Sequence, residues 1–244
     1  MCFDLDSSPP IPPISGAAVS HEDLILEAAD GNRFSAFAAL PEEPSAVGVV
    51  VLPDVRGLYR FYEELALRFA ERGIPAVAID YFGRTAGTGK RGDDFEYRPH
   101  VEQTTTEGVQ ADARAAVEWL RDRGARSIFT VGFCFGGRES WRAAAAGHGL
   151  AGAVGFYGRT AAELAEGVEA PILALQAGAD QNISAEDNAA FDEALTAAGV
   201  EHEVVTYPGA PHSFFDRGFE DFAAESEDAW ARTLNFIELR SAGS

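Results

Sequence analysis

Cys134 sits in the run Gly132-Phe133-Cys134-Phe135-Gly136-Gly137, between an apolar stretch, Ile128-Phe129-Thr130-Val131, and a helix-forming stretch, Arg138 to Ala146. A strand that stops, turns on one reactive side chain and restarts as a helix lifts that side chain clear of a sheet. Small residues on either side make room for the turn. The helix N-terminus under the thiol places backbone N–H groups and a positive dipole end near it, which favours the thiolate. Asp180 closes Ala177-Gly178-Ala179-Asp180, and His212 closes Pro208-Gly209-Ala210-Pro211-His212. A thiol, a carboxylate and an imidazole are the parts of nucleophilic acyl transfer. The thiolate attacks a carbonyl, the imidazole holds or relays the proton, and the carboxylate fixes the imidazole tautomer. The backbone N–H groups of Phe135 and of Val55 are the matching candidates for the developing oxyanion. Each side chain taken singly also has a plain alternative: a buried small hydrophobe for Cys134, a helix cap for Asp180, a turn residue for His212.

The elements that must position these residues follow from periodicity. Two short strands between Leu24 and Leu40 flank Asp30-Gly31, a hairpin signal. Continuous apolar runs at Val47 to Leu52, Ile74 to Ile79, Leu150 to Phe156 and Pro171 to Gln176 have the pattern of strands buried on both faces, and Glu203 to Tyr207 is a last strand. Helical spacing links Tyr62, Leu65, Ala66 and Phe69, then Val109, Ala113, Ala116, Val117 and Leu120, then Phe191, Leu195 and Ala198, and finally Trp230, Leu234 and Ile237. Thr160-x-x-Glu163 reads as a capping box, and Ser184 as a cap. The polar, Gly-rich stretch 84–103 reads as a lid or binding loop. The alternation predicts an α/β fold with a mostly parallel central sheet and helices on both faces. Ligands of such sheets bind beyond the carboxyl ends of the strands. Asp54, Arg84, Cys134, Asp180 and His212 all follow a strand end, so one rim gathers them. The remaining histidines, His21, His100, His148 and His202, lack that setting and read as surface or packing groups.

Composition narrows the function classes. The 244 residues fit an extended N-terminal arm, 1–19, followed by one domain over 20–244. The formal net charge of −20, from 39 acidic and 19 basic residues, argues against nucleic acid and anionic membrane surfaces as partners. No apolar run approaches membrane-spanning length and the first twenty residues lack an apolar signal-peptide centre, so a cytoplasmic protein is expected. Cys2 and Cys134 are the two cysteines, and no structural disulfide is expected between them. No metal is expected, because the histidines lack ligand spacing, and no nucleotide cofactor, because neither G-x-G-x-x-G nor a P-loop is present.

The order nucleophile, acid, histidine is that of α/β-hydrolases, whose G-x-S-x-G turn the Cys134 run resembles. Gly-Phe-Cys-Phe-Gly-Gly, with Asp180 and Pro211-His212-Ser213-Phe214, more specifically resembles the dienelactone hydrolase (carboxymethylenebutenolidase) family, over roughly residues 20 to 240. The resemblance implies an α/β-hydrolase fold and cofactor-free hydrolysis of a small ester or lactone through an acyl-enzyme. Cys134 would be the nucleophile, His212 the base and Asp180 the acid. The family's thiol-activating carboxylate after the first long strand matches Asp54, where well-known members have glutamate. Its substrate-carboxylate arginine after the next strand matches Arg84. The second such arginine lies four residues past the histidine; here that position is Asp216, and the adjacent Arg217 becomes the candidate. Two alternatives stay open: a general carboxylesterase without anionic preference, and a thiol redox or electrophile sensor on an idle hydrolase scaffold.

Overall fold

The structure is a computed structural model that describes residues 7–17, 19–43, 45–92, 94–216 and 220–241. Cys2 and Arg217 lie outside the described residues. Eight strands form one sheet: β1 (Val19–Glu27), β2 (Arg33–Pro41), β3 (Val47–Leu52), β4 (Ala76–Ile79), β5 (Ser127–Phe133), β6 (Gly152–Phe156), β7 (Ile172–Ala177) and β8 (His202–Tyr207). Their order is β1-β2-β4-β3-β5-β6-β7-β8. β3 to β8 run parallel, and the β1–β2 hairpin joins antiparallel at one edge.

Helices α1 (Arg60–Ala70), α2 (Gly83–Ala86), α3 (Arg98–Val101), α4 (Thr106–Arg121), α5 (Phe135–Ala145), α6 (Ala185–Ala197) and α7 (Ala223–Ser241) connect or follow them. The two-residue alternation of the strands decides which helix goes where. Val49, Val51, Phe129, Val131, Val154 and Leu173 point to one face, where they meet Tyr62, Leu65 and Phe69 of α1 and Trp230 and Ile237 of α7. Val50, Leu52, Val77 and Ile128 point to the other, under Val109, Ala113, Val117 and Leu120 of α4. Farther along that face Trp141 of α5 and Phe191 and Leu195 of α6 cover Ala153, Ile172 and Ala174. Burying each large side chain is worth about 1.5–3 kcal/mol, so these two stripes pin the strand registers and with them the strand ends.

Three expectations need correction. Thr160 does not cap a helix: its hydroxyl donates to Asn188 Oδ1 at 2.9 Å, and the short 3₁₀ turn Ala162–Ala165 begins at Ala161 without a side-chain cap. Ala198 is the exposed C-cap of α6, not an inward residue. Stretch 84–103 is tied down, because the buried Arg91 guanidinium meets the fully buried Asp80 at 2.8 Å and Phe95 stacks on His100. The capping box at Ser184 does form, reciprocally with Asp187.

The N-terminal arm lies against α1. Ile11 is buried in the core on that face, and Ile14 N–H donates to Glu71 Oε2 at 3.0 Å. Among the described residues no helix is long and apolar enough to cross a membrane.

Candidate active site

Cys134 sits at the turn between β5 and α5 with φ 54° and ψ −112°, a left-handed conformation disfavoured for a residue with a side chain. The glycines around it are required by contact. A Cβ on Gly132 would strike the Gly136 carbonyl, and one on Gly136 would strike the Leu52 and Pro53 carbonyls. That second approach presses the start of α5 against the exit of β3. Phe135 and Val55, the candidate oxyanion donors, thus come to line the same cleft. Cys134 N–H donates to Phe156 O at 3.0 Å, fastening the turn to β6.

The cleft has a volume of about 730 Å³ and holds Cys134 and His212 on its wall. His212 Nδ1 lies 2.6 Å from Asp180 Oδ2. The Asp180 side chain is 1 % exposed, and burial on its own would push its carboxyl up. The His212 hydrogen bond and the backbone N–H groups of Asn182 and Ile183 outweigh that and hold it below the usual carboxylate range. Asn182 N–H donates to Asp180 Oδ1 at 2.8 Å. An imidazole held by an ionised carboxylate through Nδ1 carries its proton there, so that Nε2 has the lone pair. Tyr157 packs against the imidazole, ring centroids 5.1 Å apart.

Asp54 is 1 % exposed and directly precedes Val55 in the chain. Its Oδ1 accepts from Arg56 N–H at 2.8 Å, while its own N–H donates to the Tyr62 hydroxyl at 3.1 Å. Asp54 and the equally buried Asp216 both raise the Tyr59 and Tyr62 hydroxyls, though burial is the larger cause.

Arg84 is not brought to the cleft. Its guanidinium bridges Asp30 of the hairpin turn at 2.5 Å and Asp112 of α4 at 2.9 Å, and donates to Gly108 O. The expectation of a carboxylate clamp fails there because the protein supplies its own carboxylates. The cleft instead presents Arg138, from the first turn of α5, and Arg159, just past β6. Neither is given a site role from the sequence, where nothing separates them from the other sixteen of the 18 arginines.

Tyr157 and Ser213 also line the cleft and were not singled out. They share a signal with Cys134: these three are the non-glycine residues with positive φ among the described residues, at 38°, 66° and 54°. Strained backbone of this kind concentrates where function overrides comfort. Tyr157 directly follows β6, so the strand-end rule applied to every strand would have found it.

A parallel sheet carrying a strand–turn–helix elbow, with an acid and a histidine after later strands, defines an α/β-hydrolase. The chain matches the dienelactone hydrolase family over residues 34–240 and belongs to that family. It is 29 % identical over 230 residues to an Escherichia coli K12 protein provisionally named a carboxymethylenebutenolidase, covering 85 % of this chain and 83 % of that one. A protein of the same provisional name from Saccharolobus solfataricus is 29 % identical over 254 residues, covering 88 % and 98 %. Among solved structures, a provisionally named dienelactone hydrolase from Klebsiella pneumoniae superposes with a TM-score of 0.79 at 24 % identity, covering 91 % of this chain and 99 % of that one. A dienelactone hydrolase-like promiscuous phosphotriesterase from metagenomic libraries gives 0.80 at 22 %, covering 91 % and 98 %. The protein is a hydrolase acting on ester or lactone bonds.

Proposed function

We propose that this protein hydrolyses a small carboxylic ester or lactone through a thioester acyl-enzyme on Cys134. The observation that carries the proposal is the 2.6 Å hydrogen bond from His212 Nδ1 to a buried, ionised Asp180, on the cleft that also holds the elbow thiol. In the first half, His212 Nε2 takes the Cys134 thiol proton, the resulting thiolate attacks the carbonyl carbon, and the carbonyl electrons move to oxygen. The N–H groups of Phe135 and Val55 stabilise that oxyanion. The tetrahedral adduct collapses, the C–O bond breaks, and the leaving alkoxide takes the proton that His212 holds at Nε2. In the second half, His212 takes a proton from water, whose oxygen attacks the thioester. Collapse then releases the carboxylic acid, and the departing thiolate takes its proton back from His212. Asp180 stays ionised throughout and stabilises the imidazolium. Asp54, buried one residue before an oxyanion donor, acts on the thiol's protonation when substrate arrives.

The test is turnover of 4-nitrophenyl butyrate by wild type and C134A. Loss of activity by at least about a thousandfold is expected, from the size of covalent-nucleophile deletions. Retained turnover places the nucleophile elsewhere. Acid quenching during wild-type turnover should trap a thioester on the peptide carrying Cys134. If the wild type turns over no ester while Cys134 still reacts with peroxide, the thiol-sensor role takes its place.

A further inference from the structure

Most arginines near the rim are neutralised by carboxylates: Arg84 by Asp30 and Asp112, Arg91 by Asp80, Arg142 by Glu139. The two on the cleft wall are different. Arg138 meets only Glu163, at 3.7 Å, beyond hydrogen-bond length, and that carboxylate is 64 % exposed. Its Nε is buried without a hydrogen-bond partner among the described residues. Arg159 has no carboxylate within ion-pair distance among the described residues. No aspartate or glutamate lines the cleft there either. In a chain of net charge −20, two guanidinium groups on one wall of a cleft, one with only a long contact to an exposed carboxylate and the other with none among the described residues, are unexpected if they are only solvated surface.

Their proximity is built into the backbone. Gly137 and Gly158 approach so closely that a Cβ on Gly158 would come within 2.8 Å of Arg138 N. The first turn of α5 therefore packs directly on the segment leaving β6, and residues 138 and 159 emerge side by side. Burial lowers the Arg138 guanidinium and Arg142 lowers it further, Glu139 and Glu163 oppose this, and Arg159 adds a smaller push downward, so the carboxylates nearby offset only part of the burial and like-charge cost. Planar guanidinium forks bind carboxylate or phosphate bidentately.

We propose that Arg138 and Arg159 form an anion subsite on the α5–β6 wall, so that the preferred substrate is an ester carrying a carboxylate or phosphate on the part that lies along it. This rests on the ester-hydrolase reading for its substrate, but the subsite can be tested apart from it.

The first assay alkylates Cys134 with iodoacetate and with iodoacetamide and follows the Cys134 peptide by mass spectrometry. The second compares kcat/KM for mono-4-nitrophenyl adipate and 4-butyryloxyphenyl phosphate with that for neutral 4-nitrophenyl butyrate. In R138Q/R159Q the anionic-to-neutral preference should fall about tenfold, the scale of losing charge-assisted hydrogen bonds. R138K/R159K should recover part of it. R159Q alone, at an exposed position that tolerates change, should show part of the fall and guards against misfolding of the double variant. A larger fall for the adipate assigns the subsite to carboxylate, and a larger fall for the phosphate ester to phosphate. An unchanged preference in both assays overturns the subsite, even with ester turnover intact. A lower iodoacetate preference in an enzyme that turns over no ester supports the subsite and removes the hydrolase mechanism instead.

Discussion

Two corners of the molecule each set a carboxylate against a cation, and they behave oppositely. Asp180 and Asp112 have side chains equally buried, at 1 % exposed, with His212 and Arg84 as their half-buried partners. Asp180 is nevertheless held below the usual range, whereas burial pushes Asp112 up to about 6 despite hydrogen bonds from Asn32 and Arg84. The difference lies in the backbone. Asp180 lies in the turn after β7, where Asn182 and Ile183 aim N–H groups at it. Asp112 lies inside α4, whose N–H groups are spent on the helix, and its Oδ2 has no hydrogen-bond partner among the described residues. A buried carboxylate stays charged where a turn gives it amide donors. Inside a helix, side-chain partners do less. The first arrangement suits orienting a base, and the second suits fastening a hairpin.

The sharpest way to break this contrast is D180N. It should keep the fold and lower kcat for ester turnover by about a hundred- to ten-thousandfold, because the amide stabilises neither the tautomer nor the imidazolium. Wild-type rates would remove Asp180 from the mechanism. Asp180's own contribution to stability is present above about pH 4 and is lost as pH falls through its depressed folded value, so neutral-pH assays never titrate it.

R84Q should do the reverse. It should cost about 1–3 kcal/mol in urea unfolding at pH 7, by leaving Asp112 buried without its cation, and should not change the preference between anionic and neutral esters. Asp112's folded value lies above its unfolded one, so the folded state binds the extra proton and the R84Q deficit should shrink at pH 5. R84Q/D112N should recover most of the loss. A selective rise in KM for anionic esters would return Arg84 to the cleft.

A smaller effect, on the order of 2 kcal/mol, concerns a histidine with no hydrogen-bonded carboxylate among the described residues. His148 is 4 % exposed, and its Nε2–H donates to Gln110 Oε1 at 3.1 Å. Burial, followed by Arg114 and Arg121, lowers it to about 4. The unfolded chain takes up that proton near pH 6.5, so stability is lost as pH falls from about 6.5 to 4. H148Q should therefore gain on wild type across that window, measured as a difference of urea midpoints. No gain would mean that the imidazole is protonated in place.

What the sequence made legible follows the same physics. Cys134, Asp180 and His212 could be singled out as candidates because each depends on local features: a Gly-flanked turn, a strand end, a spacing in chain order. The sheet could be found because five of the six parallel strands, β3 to β7, are largely continuous apolar runs; β8 is not. Arg84 was misjudged, and Arg138 and Arg159 were given no site role, for one reason. An arginine's role is set by which carboxylates fold up beside it, and Asp30 and Asp112 approach Arg84 from distant segments. Thr160 failed likewise: its hydroxyl chose Asn188, 28 residues away, over its own backbone. Tyr157 was within reach of the strand-end rule, whereas Ser213 announces itself only through its backbone angle, which no residue type reports.

Those angles carry a consequence for how such a protein can change over time. Three left-handed residues with side chains around one cleft are held there against their preference, at about 1–3 kcal/mol each. The fold would relax if the demand were lifted. C134G should therefore melt higher than C134A while both are inactive, because glycine accepts φ 54° without penalty. Equal melting temperatures would show that the turn is comfortable with a side chain. If the gap is present, drift at position 134 toward glycine is thermodynamically downhill, and only selection for turnover keeps the thiol in place.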